Sequence, residues 1–422
     1  MPAVKPVPDA QGSLINCRER ALQTIGARRL ALLVAANTAL APFAIDAYLP
    51  AIPAMAEHIG ANIHLTELSI SVFLLGMALG QLVFGPLSDR IGRKPVLLGG
   101  ISVFLMVSAL ITLADSLWLL LTLRFLQALG GGACVVNSAA IVRDCFSGRE
   151  AARVLSTMVM ILMLAPLVAP SVGSLLLALF DWWAIFIFLA SYAALLLYLI
   201  ARYLPETRIR HANSRPGPRQ VLANYASVLR HRRAMGYIAA VAFSFAGMFS
   251  FVTSSPYVYM EYYGASSHLY PLLFGANIIV MASSNRLNIR LLRYFSPQKL
   301  LRGGLAVQLC AGILLVITVL AGIDSLWLVA GLVTLFVGVN GLISPNAVSS
   351  MLDHFPDMSA TASAVLGALQ FTAGGLAGAL VSGLQIESVW PMVLGMVGAS
   401  LAGNLLLRAL AGGSRGSAED AS

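Results

Sequence analysis

The stretch GPLSDRIGRKPVLLGG, residues 85–100, joins two long apolar runs through a short polar turn. The chain must reverse within a few residues, and Gly92 can adopt the left-handed conformation that a tight turn requires. Arg93 and Lys94 are placed to meet lipid headgroups. Asp89 is costly beside lipid unless it pairs with a cation or caps a helix. The stretch therefore indicates two membrane-spanning helices joined by a charged turn.

The rest of the chain has the same apolar character. Its 422 residues are 58% hydrophobic and 11% charged, whereas about 25% of the residues of a soluble domain are charged. A helix of about 20 apolar residues crosses a bilayer, so we predict an all-α membrane protein with twelve transmembrane spans. The predicted spans are 31–53, 66–87, 96–114, 117–140, 155–178, 183–204, 235–257, 269–287, 300–322, 325–347, 361–384 and 389–410. The eighth is the weakest, since it carries Asn277, Ser283, Ser284 and Asn285.

The net charge of +9 could suggest nucleic-acid binding, but the distribution of charge argues against it. With the N-terminus in the cytoplasm, the basic residues fall in the tails and in the cytoplasmic loops. The opposite loops contain acidic residues and no Lys or Arg. This positive-inside bias predicts that both termini are cytoplasmic, and it excludes a nucleic-acid partner.

The chain divides into two related halves. We predict a cytoplasmic tail (1–29), a six-helix half (30–204), a linker (205–233) with a short membrane-surface helix, a second six-helix half (234–410) and a cytoplasmic tail (411–422). The sequence DSLWL begins at Asp115 and again at Asp324, 209 positions later. The same offset pairs Asn137 with Asn346, which favours duplication. Two six-helix halves around a central cavity are the architecture of major facilitator transporters.

Several function classes lack their usual residues. The six histidines fall in loops or tails, and the four cysteines are scattered, so neither a metal site nor a disulfide framework is expected. The sequence contains no phosphate-binding loop. We find no Ser/His/Asp or Cys/His pairing at one membrane depth. We therefore expect no enzyme, no metal and no cofactor.

The opening stretch resembles the loop 2–3 signature of major facilitator transporters, G-x-L-x-D-x-x-G-R-[KR]-x. The matching residues are Gly85, Leu87, Asp89, Gly92, Arg93 and Lys94, with Arg90 inside the same turn. In that family the turn is a cytoplasmic gate that closes against span 11 in the outward-open state. The resemblance implies that Asp89 faces the start of span 11 near Ser359 and Thr361. It also implies that Arg93 pairs with Asp144.

Span 4 contains Arg124, the only basic residue of a predicted span that does not lie within two residues of the end of that span. A central arginine costs about 2.5–3.5 kcal/mol on membrane-insertion scales, which marks it as functional by default. A structural arginine held by backbone carbonyls is the alternative. Arg124, Gln127 and Gly131 share one helix face and resemble the span 4 motif R-x-x-Q-G of the family, with Ala128 as a departure.

Span 5 contains Pro166, Pro170 and Gly173, so a kink is expected. These residues resemble the G-P-x-x-G-G element of the antiporter branch, with Ala169 and Ser174 in place of glycines. A kink of this kind is also common in other transport helices.

Three further stretches resemble the Bcr/CflA subfamily of drug-resistance transporters. They are IDAYLPAIP (45–53), FSFAGMFSF (243–251) and LDHFPDMSATAS (352–363). The resemblance implies a twelve-span exporter of the bacterial inner membrane, driven by proton antiport, and we expect it to be a monomer. Its partners would be small-molecule drugs, protons and membrane lipid. Substrates proposed in the subfamily include bicyclomycin, chloramphenicol, sulfonamides and cysteine, so a metabolite exporter is the runner-up function.

We expect Asp46 and Arg124 to be the only charged side chains inside the spans and to share one layer of the first half. Our hypothesis is that Asp46 takes a proton from outside and releases it inside, while substrate competes for the site. Arg124 is its one possible partner. We predict that these residues line the substrate cavity: Tyr48, Gln127, Phe249, Phe251, Tyr257, Asn277, Asn346 and Gln370. Helix packing is the alternative role for each, and a sensor or scaffold without transport is a further class.

Overall fold

A computed structural model describes residues 27–146, 148–207, 218–355 and 358–411. The described chain is helical and contains no β-strand, which confirms the predicted all-α class. The first half consists of Ala27–Asp46 continued by Ile52–His58 (span 1), Ile63–Ile91 (span 2), Arg93–Ile111 (span 3), Leu117–Cys145 (span 4), Gly148–Leu179 (span 5) and Trp183–Tyr203 (span 6). The second half consists of Arg232–Pro256 continued by the π-helical turn Tyr257–Tyr262 (span 7), Tyr270–Leu291 (span 8), Pro297–Leu320 (span 9), Leu326–Gly338 and Asn340–Leu352 (span 10), Ser359–Gly383 (span 11) and Trp390–Ala411 (span 12).

Eleven helices of the described chain are long and apolar enough to cross a membrane. The remaining span is the eighth, Tyr270–Leu291, which the sequence already marked as the weakest. One of its polar residues, Asn277, is buried between helices. It is 1% exposed, and its Oδ1 accepts a hydrogen bond from the Thr334 hydroxyl of span 10 at 2.9 Å. A neighbouring helix therefore satisfies the Oδ1 of Asn277, while the hydroxyl of Ser283 donates to the Ile279 carbonyl of its own helix.

The two halves repeat one another in detail. Span 4 begins at Leu117 and span 10 begins at Leu326, again 209 positions apart. The paired residues Asn137 and Asn346 each donate a side-chain hydrogen bond to the carbonyl four residues earlier, at 2.8 and 2.7 Å. Equivalent positions therefore have equivalent local structure, as a duplication predicts.

Small residues bring the helices together. A Cβ at Gly76 of span 2 would lie 2.8 Å from the Cβ of Ala128 in span 4. The alanine that departs from the span 4 motif is thus accommodated by a glycine on the opposite helix. Gly375 and Gly378 of span 11 pack in the same way against Ser71 of span 2. Spans 2 and 11, and spans 5 and 8, form the largest contacts between the halves.

The ends of the bundle differ in charge. We call the end with the turn 91–95 the basic end, and the end with the loops of Glu57 and Glu387 the acidic end. The linker helix Pro218–Arg230 lies at the basic end, where burial and then the charge of Asp89 raise the pKa of Tyr225. Most of the predicted N-terminal tail, residues 208–217 of the linker and the C-terminal tail from 412 lie outside the described residues.

Candidate functional site

A cavity of about 890 Å³ lies between the two halves. It extends from Asp46 to Asp353, an exposed residue at the basic end. Its apolar wall is rich in phenylalanine and methionine: Phe245, Phe249, Phe251, Phe274, Phe371, Met77, Met163, Met248 and Met281. Its polar lining includes Thr38, Asn277, Asn285, Asn340, Ser344, Ser349 and Gln370. Among the described residues that line it there are two aspartates and no Lys, Arg or His.

Asp46 faces this cavity from a break in span 1. The first helix of the span ends at Asp46, and a 3₁₀ turn with Pro50 in its first turn carries the chain to the next helix. The side chain is 7% exposed, and within the described residues it makes no hydrogen bond or ion pair. An unpaired carboxylate in an apolar wall is costly unless it binds a proton or a ligand.

Span 5 packs closely against the break in span 1. A Cβ at Gly173 would collide with the carbonyl oxygen of Ala47, the residue after Asp46. Pro166 of the same span lines the cavity, and both Pro166 and Pro170 lie inside the span 5 helix. The span 5 motif therefore fixes the wall of the cavity beside Asp46.

Arg124 lies behind that wall and is 0% exposed. Its Nη1 donates to Gln127 Oε1 at 2.7 Å, and its Nη2 donates to the carbonyl oxygen of Ala44 at 3.1 Å. Gln127 in turn donates through Nε2 to the hydroxyl of Ser108 at 2.8 Å. These bonds join spans 1, 3 and 4 in one polar network.

Aromatic rings cover the guanidinium of Arg124. Its central carbon lies 4.8 Å from the ring centroid of Tyr48, 4.5 Å from that of Phe73 and 5.9 Å from that of Phe186. Ring faces attract a cation, and more strongly when both are desolvated. The arrangement matches the structural arginine that the sequence left open as an alternative.

Asp46 and Arg124 share one layer but do not form an ion pair within 4.0 Å in the described chain. Arg124 bonds to the carbonyl of Ala44, two residues before Asp46, so the two charges lie at a similar depth. Both terminal nitrogens of the guanidinium donate to protein oxygens and aromatic rings cover it, while its Nε has no hydrogen-bond partner in the described residues. Asp46 is therefore left without a fixed cation.

Four of the eight residues predicted for the substrate cavity line this cavity: Phe249, Phe251, Asn277 and Gln370. The other four, Tyr48, Gln127, Tyr257 and Asn346, are not among its lining residues. Tyr48 bonds Ser69 and lies against Arg124, and Gln127 belongs to the arginine network. Tyr257 packs its ring on His64, and Asn346 donates to Asn288 Oδ1 at 2.6 Å. Each of these four is committed to contacts between helices.

The methionines and Asn340 escaped the sequence reasoning. A usable signal exists on span 8, where Asn277, Met281 and Asn285 recur every four residues and all line the cavity. Four-residue spacing places side chains on one helix face. A polar and flexible stripe inside a weakly apolar span could therefore have identified this wall.

The turn at the basic end has the predicted contact between Arg93 and Asp144. The Nε of Arg93 donates to Asp144 Oδ2 at 3.1 Å, and its Nη1 lies 2.6 Å from Asp89 Oδ1. The Asp89 side chain is 58% exposed and, in the described residues, makes no bond to span 11. Gly92 has φ 120°, as the tight turn requires. Arg90 and Lys94 lie in the same turn, and Gly85 lies in the last turns of span 2.

Glu206, after span 6, was not foreseen as part of this turn. Its two carboxylate oxygens accept hydrogen bonds from the backbone N–H groups of Arg93 and Lys94, at 2.9 and 3.2 Å. A carboxylate is favourable at a helix N-terminus, where backbone N–H groups lack partners. Glu206 therefore caps span 3 and attaches the start of the linker to the turn 91–95.

The expectation that the spans contain only two charged side chains is wrong. Glu67, near the start of span 2, is 0% exposed. Its Oε1 accepts from the backbone N–H of Tyr257 at 3.2 Å, and its Oε2 accepts from the Ser382 hydroxyl at 3.4 Å. His64 Nδ1 lies 3.5 Å from Oε2. By position the residue should lie at headgroup level, but contact between the halves at the acidic end buries it.

Comparisons with known proteins agree with this architecture. A family model described as Major Facilitator Superfamily matches residues 34–382. A bicyclomycin resistance protein homolog of Haemophilus influenzae is 35% identical over 85% of this chain and 89% of its own length. A chloramphenicol resistance protein of Pseudomonas aeruginosa is 31% identical over 86% of each chain. The crystal structure of a D-xylose–proton symporter aligns with a TM-score of 0.66 and 16% identity, over 88% of this chain and 96% of that one.

These similarities confirm two predictions. The relatives are drug-resistance transporters, which confirms the resemblance found in the sequence motifs. The relatives and the structural neighbour are transporters, so the chain is not an enzyme.

Proposed function

Because the chain belongs to the major facilitator superfamily of membrane transporters, we propose that it exports small, mostly hydrophobic drugs across the bacterial inner membrane in exchange for protons. The observation that carries this proposal is the unpaired carboxylate of Asp46 in a large apolar cavity between the halves. An apolar pocket with a few polar groups suits drug-sized ligands. The acid supplies a site for which a proton and a substrate can compete.

The positive-inside bias places the basic end in the cytoplasm. The cavity extends to that end, while contacts of Glu67 join the halves at the acidic end. A drug would therefore enter from the cytoplasm or the inner leaflet and displace the proton on Asp46. The halves would then rock to expose the cavity outside, where a proton replaces the drug. Each positive charge carried inward gains about 2.3 kcal/mol per 100 mV of membrane potential.

The cavity fits neutral or cationic compounds better than a zwitterion. An exported amino acid would need a cation for its carboxylate, and the described lining offers only aspartates as charged groups. Arg124 is 0% exposed and lies outside the lining. This arrangement weighs against the alternative of a cysteine-like substrate. One chain encloses the whole cavity, so we expect a monomer to be the functional unit.

The test is drug-dependent proton movement in inverted membrane vesicles, followed with a pH-sensitive dye. Wild-type vesicles should lose part of an imposed proton gradient when a drug is added, and Asp46→Asn vesicles should not. Glu57→Gln, which changes an exposed acid of the acidic end, is the matched control and should behave as wild type. Unchanged exchange in Asp46→Asn would remove this residue from the mechanism. A panel of compounds tested for growth inhibition in a pump-deleted host identifies the substrates.

A further inference from the structure

Glu67 joins the two halves at the acidic end. It belongs to span 2 of the first half, and its partners Tyr257 and Ser382 belong to spans 7 and 11 of the second half. The contacts are 3.2 Å and 3.4 Å long, and the side chain is 0% exposed. Parting the halves at this end must therefore break both contacts and bring the carboxyl group into water.

The groups around Glu67 include no fixed cation in the described chain. His64 Nδ1 lies 3.5 Å from Oε2, and the ring of His64 packs against Tyr257 with centroids 4.4 Å apart. Tyr48, Tyr257 and Tyr270 are the other titratable groups within electrostatic range of Glu67. Burying an ionised carboxylate costs several kcal/mol unless a well-placed partner compensates. Only protonation of His64 could supply that compensation here.

The same contacts suit a neutral carboxylic acid. A protonated carboxyl group has one oxygen that accepts and one O–H that donates. Oε1 accepts a hydrogen bond from the backbone N–H of Tyr257, and an N–H group can only donate. If Oε2 carries the proton, two groups in reach can accept a hydrogen bond from its O–H: the hydroxyl of Ser382 and the Nδ1 of a neutral His64. Every contact can therefore be made without a buried charge.

We propose that Glu67 is a second proton-binding site, loaded from the acidic end, and that its neutral form closes this end of the bundle. When the halves part there, water solvates the carboxyl group and its proton leaves to the outside solution. Closure requires a proton to be taken back from the same side. The proton on Glu67 is thus returned where it came from, and Asp46 remains the carrier across the membrane.

The inference rests on the proposed function but can be tested without a substrate. Spin labels attached to Glu57→Cys and His268→Cys, exposed positions of the two halves at the acidic end, report the distance between the halves. The full-length chain, with Cys17, Cys134, Cys145 and Cys310 replaced, is measured in lipid nanodiscs by pulsed electron paramagnetic resonance. For the wild type we expect short distances at pH 5.5 and a growing population of long distances at pH 8.5.

Two variants and one control decide the outcome. Glu67→Gln is neutral at every pH, so the short distance should persist at pH 8.5. Ser382→Ala removes one partner of the neutral acid, so the change should remain but move to lower pH. Asp46→Asn should keep the pH response because Glu67 is intact. A wild-type response in Glu67→Gln would overturn the proposal, and so would its loss in Asp46→Asn.

His64 is the competing titratable group, and His64→Gln separates the two. The proposal predicts that His64→Gln keeps a pH response. If His64→Gln abolishes the response and Glu67→Gln does not, His64 is the proton-binding group and the proposal is wrong. If vesicles show no drug–proton exchange while the response depends on Glu67, the proposed function is wrong and this site stands. If vesicles show exchange while the pH response is independent of Glu67, the proposed function stands and this site is wrong.

Discussion

The Nη2 of Arg124 donates a hydrogen bond to the carbonyl oxygen of Ala44, 3.1 Å away, two residues before Asp46. The bond ties span 4 to the part of span 1 that ends at the cavity. Arg124 therefore holds the backbone beside the site in place without lining the cavity, and the Asp46 carboxylate faces the cavity without a cationic partner. This division of roles separates stability from substrate binding, and the two can be measured independently.

Replacing Arg124 by lysine should destabilise the fold and leave the affinity for drugs unchanged. A lysine ammonium cannot reproduce the planar fork that reaches both Gln127 and Ala44. Each buried oxygen left without a donor costs about 1–3 kcal/mol. We expect a lower Tm in detergent and unchanged drug affinity in the folded fraction. Asp46→Asn should show the opposite pattern, and a loss of affinity without a loss of Tm in Arg124→Lys would contradict this assignment.

Gly173→Ala should disrupt the junction of spans 1 and 5. The added methyl group collides with the carbonyl of Ala47, and such overpacking costs about 1–3 kcal/mol. We expect a lower thermal midpoint and weaker drug export. Gly331→Ala is the matched control, because a Cβ there meets nothing within 4 Å and alanine favours the helix by up to about 1 kcal/mol. Equal effects of the two substitutions would refute close contact at Gly173.

Substrate charge should control affinity through Asp46. For cationic, neutral and anionic forms of one drug scaffold, we expect the cation to bind most tightly and the anion most weakly. A charge contact that contributes about 1.4 kcal/mol after desolvation changes Kd about tenfold. Isothermal titration with purified protein measures the series, and Asp46→Asn should remove the preference. If the anionic form binds most tightly, a cationic side chain must enter the cavity in another conformation of the protein.

Binding of the cationic compound should also weaken as the pH falls, because the proton and the drug compete for one carboxylate. The dependence should vanish in Asp46→Asn. A neutral compound of the same scaffold is the control, because its binding affinity should fall less when Asp46 becomes protonated. A cation affinity that is constant between pH 5.5 and 8.5 would exclude direct competition.

Glu206→Ala should destabilise the basic-end turn by removing the cap of span 3. Loss of a capping side chain costs about 0.5–2 kcal/mol. Glu206→Gln keeps an acceptor oxygen and should lose less thermal stability. Glu57→Ala is the control, because it removes an exposed acid that makes no capping contact. Thermal unfolding in detergent compares the three variants. The capping role would be refuted by a Glu206→Ala midpoint equal to that of the wild type.

The fold was predictable because its signals are local. Long apolar runs, one-sided basic loops and the Gly92 turn each act over few residues, and the helices follow them closely. Boundaries moved where neighbours extend a helix: span 2 continues to Ile91 and span 5 begins at Gly148, beyond the predicted limits. In span 1, Pro50 lies in the 3₁₀ turn that interrupts the regular helix after Asp46.

The site was only partly predictable because it depends on how each helix is rotated about its axis. Asp46 stood out as an acid in an apolar run, and the structure places it in the cavity wall. Tyr48 lies two residues away yet packs against Arg124 instead. Glu67 was missed because its burial arises from contacts with Tyr257 and Ser382, 190 and 315 residues away in the chain. No local pattern encodes such contacts.

The unpaired carboxylate of Asp46 also determines whether the proposed exchange moves net charge across the membrane. If one proton enters for each drug molecule that leaves, export of a monovalent cation moves no net charge, whereas export of a neutral drug moves one positive charge inward. The first exchange is driven by the pH difference alone. The second also draws about 2.3 kcal/mol from each 100 mV of membrane potential. One protein would thus be electroneutral for some substrates and electrogenic for others.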